Sequence, residues 1–296
     1  MQRIFAFTKS SVVLRIACHR TDDKKHSPTS GPGMIFVFLM SALFLLRSPH
    51  SFGQSLDLAK STIVDLTHPF DAKTIYWPTS PSGFELKSLH NGLTERGFFY
   101  AANSFCSPEH GGTHLDAPQH FARDHWTNAE IPVDRFVGPA FVIDVSAKAA
   151  ADPDYTLKPE DVAEWEATHG RIPEGAIVLL RTGWSARWSD RRAYLGDDTP
   201  GDATHLHFPG YGAQAATLLV VDRRAKLIGI DTASVDNGPS QDFFVHRIVA
   251  GADAAGLENL VNLDQLPATG AIVFALPMKI SGGSGGPARI VAVVAR

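Results

Sequence analysis

The sequence predicts a single α/β domain with a mixed, strand-rich sheet and flanking helices. Three observations support this class. The 296 residues are 44% hydrophobic, which is enough to bury one large core. Short apolar runs rich in β-branched residues recur along the chain and end in polar residues or glycine, as buried strands do. Segments with helical start and stop signals lie between these runs, and such alternation is typical of α/β domains.

The predicted strands are short and apolar. The segment "STIVDLTHPF" alternates into an apolar run and stops at Pro69, so it predicts a strand followed by a turn. Further strands are predicted at residues 141–145, 176–183, 226–231, 271–280 and 288–295. No internal repeat and no low-complexity linker follows residue 55, which favours one domain over several.

Two helices are predicted between the strands. Residues 159–170 carry Pro159 at a favoured first helical position, acidic residues in the first turn, and Gly170 as a stop. Residues 209–225 predict the second helix. The order of the strands in the sheet does not follow from these patterns.

The N-terminal region, residues 1–53, has the character of an export leader. Residues 34–46 form a continuous apolar run, shorter than the about 20 residues that span a bilayer and typical of a signal-peptide core. Cleavage after Gly53 would leave a mature domain of residues 54–296. We therefore expect a periplasmic or secreted protein with no stable membrane span after processing. An uncleaved membrane anchor is the alternative. The sequence does not decide whether translation starts at Met1 or at Met34.

Charge and cysteine content narrow the classes of function. The formal net charge is −4, and a mildly acidic chain lacks the basic footprint of a nucleic-acid-binding protein. Of the two cysteines, Cys18 would leave with the leader, so Cys106 would remain alone and could form no internal disulfide. We therefore expect neither nucleic-acid binding nor dependence on a disulfide.

The stretch "HGGTHLDAPQHF" places three histidines and one aspartate within twelve residues. Its glycines and proline disfavour a helix, so we expect an extended or looped segment in which His114 and Asp116 point to one side. Imidazoles and a carboxylate without nearby thiolates suit Zn, Mn or Fe in the +2 state. The candidate ligands are His110, His114, Asp116 and His120, and an ion held by three of them would keep one coordination position open for water. A polar loop with hydrogen-bonded histidines is the alternative.

Further candidate ligands lie downstream in the chain. His246 opens an apolar-periodic stretch, and Glu258 stands in a mostly apolar context. Taken alone, each of these two residues is more typical of a surface or capping position than of a metal ligand. Asp231 and Asp236 come at the end of a predicted strand, where α/β sites commonly lie, although aspartate also caps helices and turns there.

Aromatic residues near the motif are candidates for contact with a planar substrate. Trp77 is expected in a loop, and Phe98, Phe99 and Tyr100 come just before the motif. These residues could stack on a substrate ring or be buried in the core of adjacent strands, and the sequence does not separate the two. His207 is a further candidate for lining the pocket, with a position at a helix start as the alternative.

The motif resembles the signature H-x-G-T-H-x-D-x-P-x-H-F of the cyclase-like metal-dependent hydrolases. That family includes bacterial kynurenine formamidase and isatin hydrolase. The match is complete at every fixed position, and the resemblance extends from "IVDLTHPF" to "GGPARIVAV". It implies a swivelling β/β/α fold and a homo-oligomer, either a dimer or a tetramer.

The resemblance also implies roles for individual residues. The first two signature histidines, the aspartate and two downstream residues would bind metal: His110, His114, Asp116, His246 and Glu258. His120 would act in catalysis or at a second metal. Glu258 would be either a ligand or a base, and the sequence does not separate these roles.

We therefore expect a metal-dependent amidohydrolase for a small aromatic amide, with one or two ions of Mn²⁺ or Zn²⁺. The segments "HGRIPEGAIVLLRTGW", "HFPGYG" and "DNGPSQDFFVH" resemble the isatin hydrolases of the family more than its formamidases, which implies the opening of a cyclic amide of the isatin type. The metal would activate a water for attack, and His120, whose unperturbed pKa is roughly 6.5, would transfer the proton. The alternatives are an arylformamidase for N-formylkynurenine, a lactone or ester hydrolase, and an exported metal-binding protein without turnover.

Overall fold

The computed structural model of the protein describes residues 57–296. The predicted leader, including Cys18, lies outside the described residues, so cleavage and export stay predictions. Within residues 57–296, no helix is both long enough and apolar enough to cross a membrane. Cys106 is a free, exposed cysteine.

Strands dominate the described chain. The strands are β1 (Ser61–Asp65), β2 (Glu85–Leu93), β3 (Phe99–Cys106), β4 (His114–Asp116), β5 (Val137–Asp144), β6 (Thr156–Leu157), β7 (Ile177–Arg181), β8 (Gly210–Tyr211), β9 (Leu227–Ile230), β10 (Ala255–Glu258), β11 (Ala271–Pro277) and β12 (Gly285–Ala295). The α-helices are α1 (Ser146–Ala151), α2 (Pro159–His169), α3 (Arg191–Leu195), α4 (Ala213–Thr217) and α5 (Phe244–Gly251).

Eight strands form a mixed sheet in the order β1-β12-β11-β5-β7-β9-β10-β4. The strands β5, β7, β9 and β10 run parallel, whereas the remaining pairs are antiparallel. The long strand β12 pairs with β4 through its first residues and with β1 through its last, so the sheet closes on itself like a barrel. The short strand β4 therefore lies at the closure, between β10 and β12.

Both faces of the central parallel strands are buried. Along β7, Ile177 and Leu179 face the core inside the closed sheet, while Val178 and Leu180 face a second core beneath the helices. Strands covered on two sides read as continuous apolar runs, which is why the segment 176–183 shows no alternation. The prediction of a mixed α/β domain is confirmed.

The helix predicted at residues 159–170 is confirmed as α2, but the prediction for 209–225 is wrong at its start. Residues 210–211 form β8 and pair in parallel with β6. A side chain on Gly210 would collide with the backbone of Asn237, so glycine at this position lets the segment lie close to its neighbour. The helix α4 begins only at Ala213 and continues as a π-helical turn over Leu218–Asp222.

The sequence patterns did not predict the hairpin of β2 and β3. Its two strands pair only with each other, and their side chains are mostly exposed. It carries half of the large hydrophobic residues that are exposed in the described part of the chain: Leu86, Leu89, Leu93, Phe98, Phe99, Tyr100 and Phe105. An isolated two-stranded hairpin is at best marginally stable in water.

Candidate metal centre

Five potential ligands converge where the sheet closes. His114 and Asp116 are the first and last residues of β4, and the period of two along a strand points both to the same side. Glu258, at the end of β10, lies directly opposite His114 in the register of the pair. His246 comes from the first turn of α5, and His110 from the turn before β4. The expected extended segment is thus confirmed.

The distances between these groups are those of ligands around a common centre. His114 Nε2 is 3.1 Å from Asp116 Oδ1 and 3.4 Å from Glu258 Oε2. His246 Nε2 is 3.3 Å from Asp116 Oδ2 and 3.2 Å from Glu258 Oε1. His110 Nδ1 is 2.6 Å from Asp116 Oδ1. Asp116 therefore contacts all three imidazoles and lies at the middle of the cluster.

Two of the imidazoles are oriented by a hydrogen bond on their far side. His114 Nδ1 donates to the Gly112 carbonyl, and His246 Nδ1 donates to the Asp236 carboxylate. Both acceptors lack a proton to give, so Nδ1 carries a hydrogen and Nε2 is the nitrogen that faces the centre and would offer its lone pair to a cation. Metal-binding histidines are usually held in this way. The role of Asp236, which the sequence left open, is therefore to fix His246.

The glycines of the motif let the backbone lie close to its surroundings. Gly112 has a φ of +58°, a conformation that favours glycine, and a side chain there would collide with the Phe70 ring. The carbonyl of Gly112 also accepts a hydrogen bond from Asn259 Nδ2. This compact turn places the Gly112 carbonyl where it receives the His114 hydrogen.

The charges of the cluster are strongly coupled. Burial alone would lower the pKa of His114, but the Asp116 and Glu258 carboxylates outweigh it and raise that pKa to about 9. For Asp116, burial acts to raise the pKa, but the adjoining histidines outweigh it and hold that pKa well below its usual range. The carboxylates thus draw positive charge into a buried site. A divalent cation would supply that charge in place of protons.

His120 differs from the other histidines in its electrostatics. Burial lowers its pKa to about 4, so its imidazole is neutral at neutral pH. Its ring stacks on His110 with 3.7 Å between the centroids. One nitrogen each from His110 and His120 also lies within 4.8 Å of an Asp116 oxygen, which makes a second group able to hold a cation.

The residues present fit a divalent metal ion. His114 Nε2 and Asp116 Oδ2 are buried and have no hydrogen-bond partner among the residues that the structure describes. Leaving such atoms without a partner costs about 1–3 kcal/mol each, more when they are charged. One ligand atom each from His114, Asp116 and Glu258 lies within 4.8 Å of the other two. Imidazole and carboxylate ligands are those that Zn²⁺ and Mn²⁺ accept.

A cavity of about 410 Å³ opens onto these ligands, within the range of roughly 300–1,000 Å³ typical of small-molecule pockets. Aromatic residues form much of its wall: Tyr76, Trp77, Phe121 and Phe243. Trp77 lies edge-on to Phe208 and at a tilt to Phe243. Of the predicted substrate contacts, Trp77 therefore lines the cavity.

The other predicted contacts lie elsewhere. Phe98 and Phe99 lie on the exposed hairpin, outside the lining of the cavity. The sequence suggested that these two rings contact the substrate or lie in a core, and the structure shows neither. His207 is exposed, pairs with Asp154 and does not line the cavity. Asp231 is buried and accepts hydrogen bonds from Thr182 and Gly183, which gives it a structural role.

The sequence patterns missed several residues of the site. Phe121 is the last residue of the motif, and Phe243 precedes α5 with a φ of +49°. Glu109 and Asn259 also line the cavity. Adjacency to assigned ligands was the signal that could have identified Glu109, Phe121 and Asn259. Nothing in the local sequence marks the unusual backbone of Phe243.

Comparison with known proteins identifies the family. A family model described as "Putative cyclase" matches residues 64–237, more than half of the chain. The chain belongs to the cyclase family. The resemblance that the motif predicted is therefore confirmed. The cyclase-family match includes the signature from His110 to Phe121 and ends at Asn237, before His246 and Glu258.

Individual relatives fall in the same family. The chain is 38% identical over 207 residues to isatin hydrolase of Roseibium aggregatum, covering 67% of this chain and 76% of that protein. It is 32% identical over 184 residues to kynurenine formamidase of Salinibacter ruber, covering 62% and 74%. A crystal structure of an isatin hydrolase bound to the product analogue thioisatinate superposes with a TM-score of 0.73 at 32% identity, covering 80% of this chain and 94% of the other.

Proposed function

We propose that the protein is a metal-dependent amidohydrolase that opens a small cyclic aromatic amide of the isatin type to its carboxylate. The observation that carries the proposal is the convergence of imidazole and carboxylate ligands on the floor of an aromatic-walled cavity. The relatives support the choice of reaction, since they include an isatin hydrolase and a kynurenine formamidase.

The ligands would be His110, His114, Asp116, His246 and Glu258, with Mn²⁺ or Zn²⁺ as the ion. When bound, such an ion lowers the pKa of a coordinated water and polarises a carbonyl. Two groups of ligand atoms share Asp116, so the site has room for one or two ions. Glu258 contacts both His114 and His246, which supports a ligand role over that of a free base.

His120 is the proposed proton carrier. Because burial keeps its imidazole neutral, it can accept the proton that the attacking water loses. The protonated ring, held by stacking on His110, is then a strong enough acid to give that proton to the nitrogen as the C–N bond breaks. Water thus adds to the carbonyl carbon, and the products are a carboxylate and a free amine on one ring-opened molecule.

The aromatic wall would select the substrate. Trp77 and Phe243 present ring surfaces beside the ligands, and a planar bicyclic amide can stack or pack edge-on against them. An amide without an aromatic ring would forgo this contact, so we expect aromatic amides to be preferred.

Assays of the purified protein test the proposal. Elemental analysis should find Mn or Zn bound in a whole-number ratio to the chain. Isatin, N-formylkynurenine, an aryl lactone and an aryl ester should then be compared at equal concentration. The proposal expects the highest kcat/KM on isatin, and a preference for N-formylkynurenine would assign the arylformamidase reaction instead. Metal binding without turnover on any of them would favour the exported metal-binding protein.

We propose in addition that the mature protein is exported and homo-oligomeric. The apolar run at residues 34–46 supports export. The exposed apolar hairpin of β2 and β3 supports self-association, since large exposed apolar patches commonly mark protein interfaces. Fractionation of the native host and light scattering of the purified protein test these two points.

A further inference from the structure

Each ring nitrogen of His110 lies close to a polar side chain. Its Nδ1 faces Asp116, and its Nε2 is 2.8 Å from the Ser284 hydroxyl. The turn before β12 carries Ser284, and residue 284 follows the sequence "SGG". The serine therefore lies on the side of His110 away from the centre of the cluster.

A carboxylate holds this serine in place. Glu109 Oε2 accepts from the Ser284 hydroxyl at 2.7 Å and from the Ser284 backbone N–H at 2.9 Å. On its other side, the Ser284 carbonyl accepts from the Ala117 N–H at 2.8 Å, next to Asp116. The serine is thus anchored both to the residue before His110 and to the end of β4.

The available hydrogens fix the direction of the bonds from His110 to Ser284 and from Ser284 to Glu109. A serine hydroxyl has one hydrogen, and a carboxylate can only accept. The hydrogen of Ser284 therefore goes to Glu109, so its oxygen can only accept from His110. The hydrogen of that bond must come from Nε2 of His110. When the imidazole is neutral, Nδ1 then carries a lone pair, and this nitrogen faces Asp116.

The packing leaves the ring one position. His120 stacks on one face of His110, and a side chain on Gly285 would come within 2.6 Å of His110 Cε1. Only glycine at position 285 leaves room for the imidazole to reach Ser284. The ring edge and the ring plane are therefore both constrained by residues outside the ligand set.

We propose that Ser284 and Glu109 are positioning residues that hold His110 as the Nε2–H tautomer, so that Nδ1 is the nitrogen offered to the metal. This inference rests on the proposed metal centre. It assigns His110 the opposite ring nitrogen to His114 and His246, which both offer Nε2. Partners of this kind commonly change metal affinity by about 10–100-fold when removed.

Metal affinity of the full chain gives the first test, with Zn²⁺ or Mn²⁺ alone in competition with a chelating dye. Ser284→Ala and Glu109→Gln should each bind the ion about 10–100-fold more weakly than the unmodified protein. Glu130→Gln is the matched control, because Glu130 accepts from the backbone N–H and hydroxyl of Thr127 in the same pattern on an exposed turn. The control should bind the ion as the unmodified protein does.

Nitrogen NMR of ¹⁵N-histidine-labelled protein gives a readout that a loss of packing would not produce. The His110 signals, assigned with His110→Asn, should show hydrogen on Nε2 in the Zn²⁺-loaded protein and lose that preference in Ser284→Ala. If Ser284→Ala fails to fold, Glu109→Gln is measured in its place. Unchanged affinity together with an unchanged tautomer in these variants overturns the inference alone. An unmodified protein that binds no ion overturns the inference together with the proposed function.

Discussion

His114 on β4 lies directly across from Glu258 on β10, with 3.4 Å between its Nε2 atom and the Glu258 Oε2 atom. Both side chains are buried, and antiparallel pairing alone brings them together from distant parts of the chain. Asp116, two residues along β4, points to the same side and contacts the same imidazole. The backbone pairing of β4 with β10 thus sets the spacing of three ligands: His114, Asp116 and Glu258.

Asp116 should be the most sensitive ligand, because it contacts His110, His114 and His246. We expect Asp116→Asn to weaken metal binding by more than roughly 100-fold, since even the loss of an outer partner of a ligand costs about 10–100-fold. Elemental analysis after dialysis measures this. Asp144→Asn, which removes a carboxylate at the exposed end of β5, is the control and should retain metal. Stoichiometric metal in Asp116→Asn would refute the ligand assignment.

His120 should separate metal binding from turnover. His120→Phe keeps an aromatic ring against His110 but removes both nitrogens, so we expect the bound metal to remain and kcat to fall by about 10²–10⁴. His120→Ala should lose similar activity and also bind metal more weakly, because it removes the ring that stacks on His110. Activity and metal content are measured on the same preparations. Full turnover in His120→Phe would remove this residue from the mechanism.

The sequence predicts most of the ligand set but little of what surrounds it. His110, His114 and Asp116 are close in the chain, so local spacing alone suggests a shared ion. His246 and Glu258 follow the motif by more than a hundred residues, and only the family resemblance connected them to it. Glu258 reaches the motif through the pairing of β4 with β10, and His246 through the position of α5. Neither strand order nor helix position follows from apolar patterns.

The aromatic candidates show the same limit. The spacing of Phe98 and Phe99 before the motif suggested proximity to the site, but β3 carries them away along an exposed hairpin. Residues that are close in the sequence lie far apart when an extended strand separates them, and they stay close only where the chain turns back. Nothing in the hydrophobic pattern gives the direction of a strand. Trp77 lies in the cavity wall because its loop does turn back, towards Phe208 and Phe243.

Trp77 should contribute mainly to substrate binding. We expect Trp77→Ala to raise KM for an aromatic amide about tenfold, which corresponds to about 1.4 kcal/mol, while kcat changes little. Uniform binding of ground state and transition state produces this pattern. Phe98→Ala, measured in parallel, tests the sequence prediction for the hairpin. An unchanged KM in Trp77→Ala would show that the cavity wall does not contact substrate.

Asp236 should act on the metal through His246. Its carboxylate accepts from His246 Nδ1 and from the backbone N–H groups of Val245 and His246, so it fixes both the ring and the start of α5. We expect Asp236→Asn to weaken metal affinity about 10–100-fold, measured by chelator competition. Ser240→Ala removes only a 3.2 Å contact to the same carboxylate and serves as the control. Equal affinity in both variants would leave Asp236 with a structural role only.

His68 should make the folded protein sensitive to acid. It is 7% exposed, its ring stacks on Trp188 with 4.0 Å between the centroids, and burial lowers its pKa to about 4. The folded state therefore binds fewer protons than the unfolded state between pH 6.5 and pH 4. The stability that a neutral His68 contributes is complete above pH 6.5 and is lost as the pH falls towards 4. From these pKa values, the loss is on the order of 2–3 kcal/mol.

The variant His68→Phe isolates this contribution, because it keeps a planar ring against Trp188 but does not titrate. Urea unfolding of both proteins is measured between pH 7 and pH 4, with a chelator present so that metal release contributes to neither. Carboxylates titrate in both proteins, so the difference between the two free energies of unfolding reports His68. As the pH falls, we expect the free energy of unfolding of the unmodified protein to decrease relative to that of His68→Phe. A difference that does not change with pH would show that His68 has the same pKa in the folded and unfolded states.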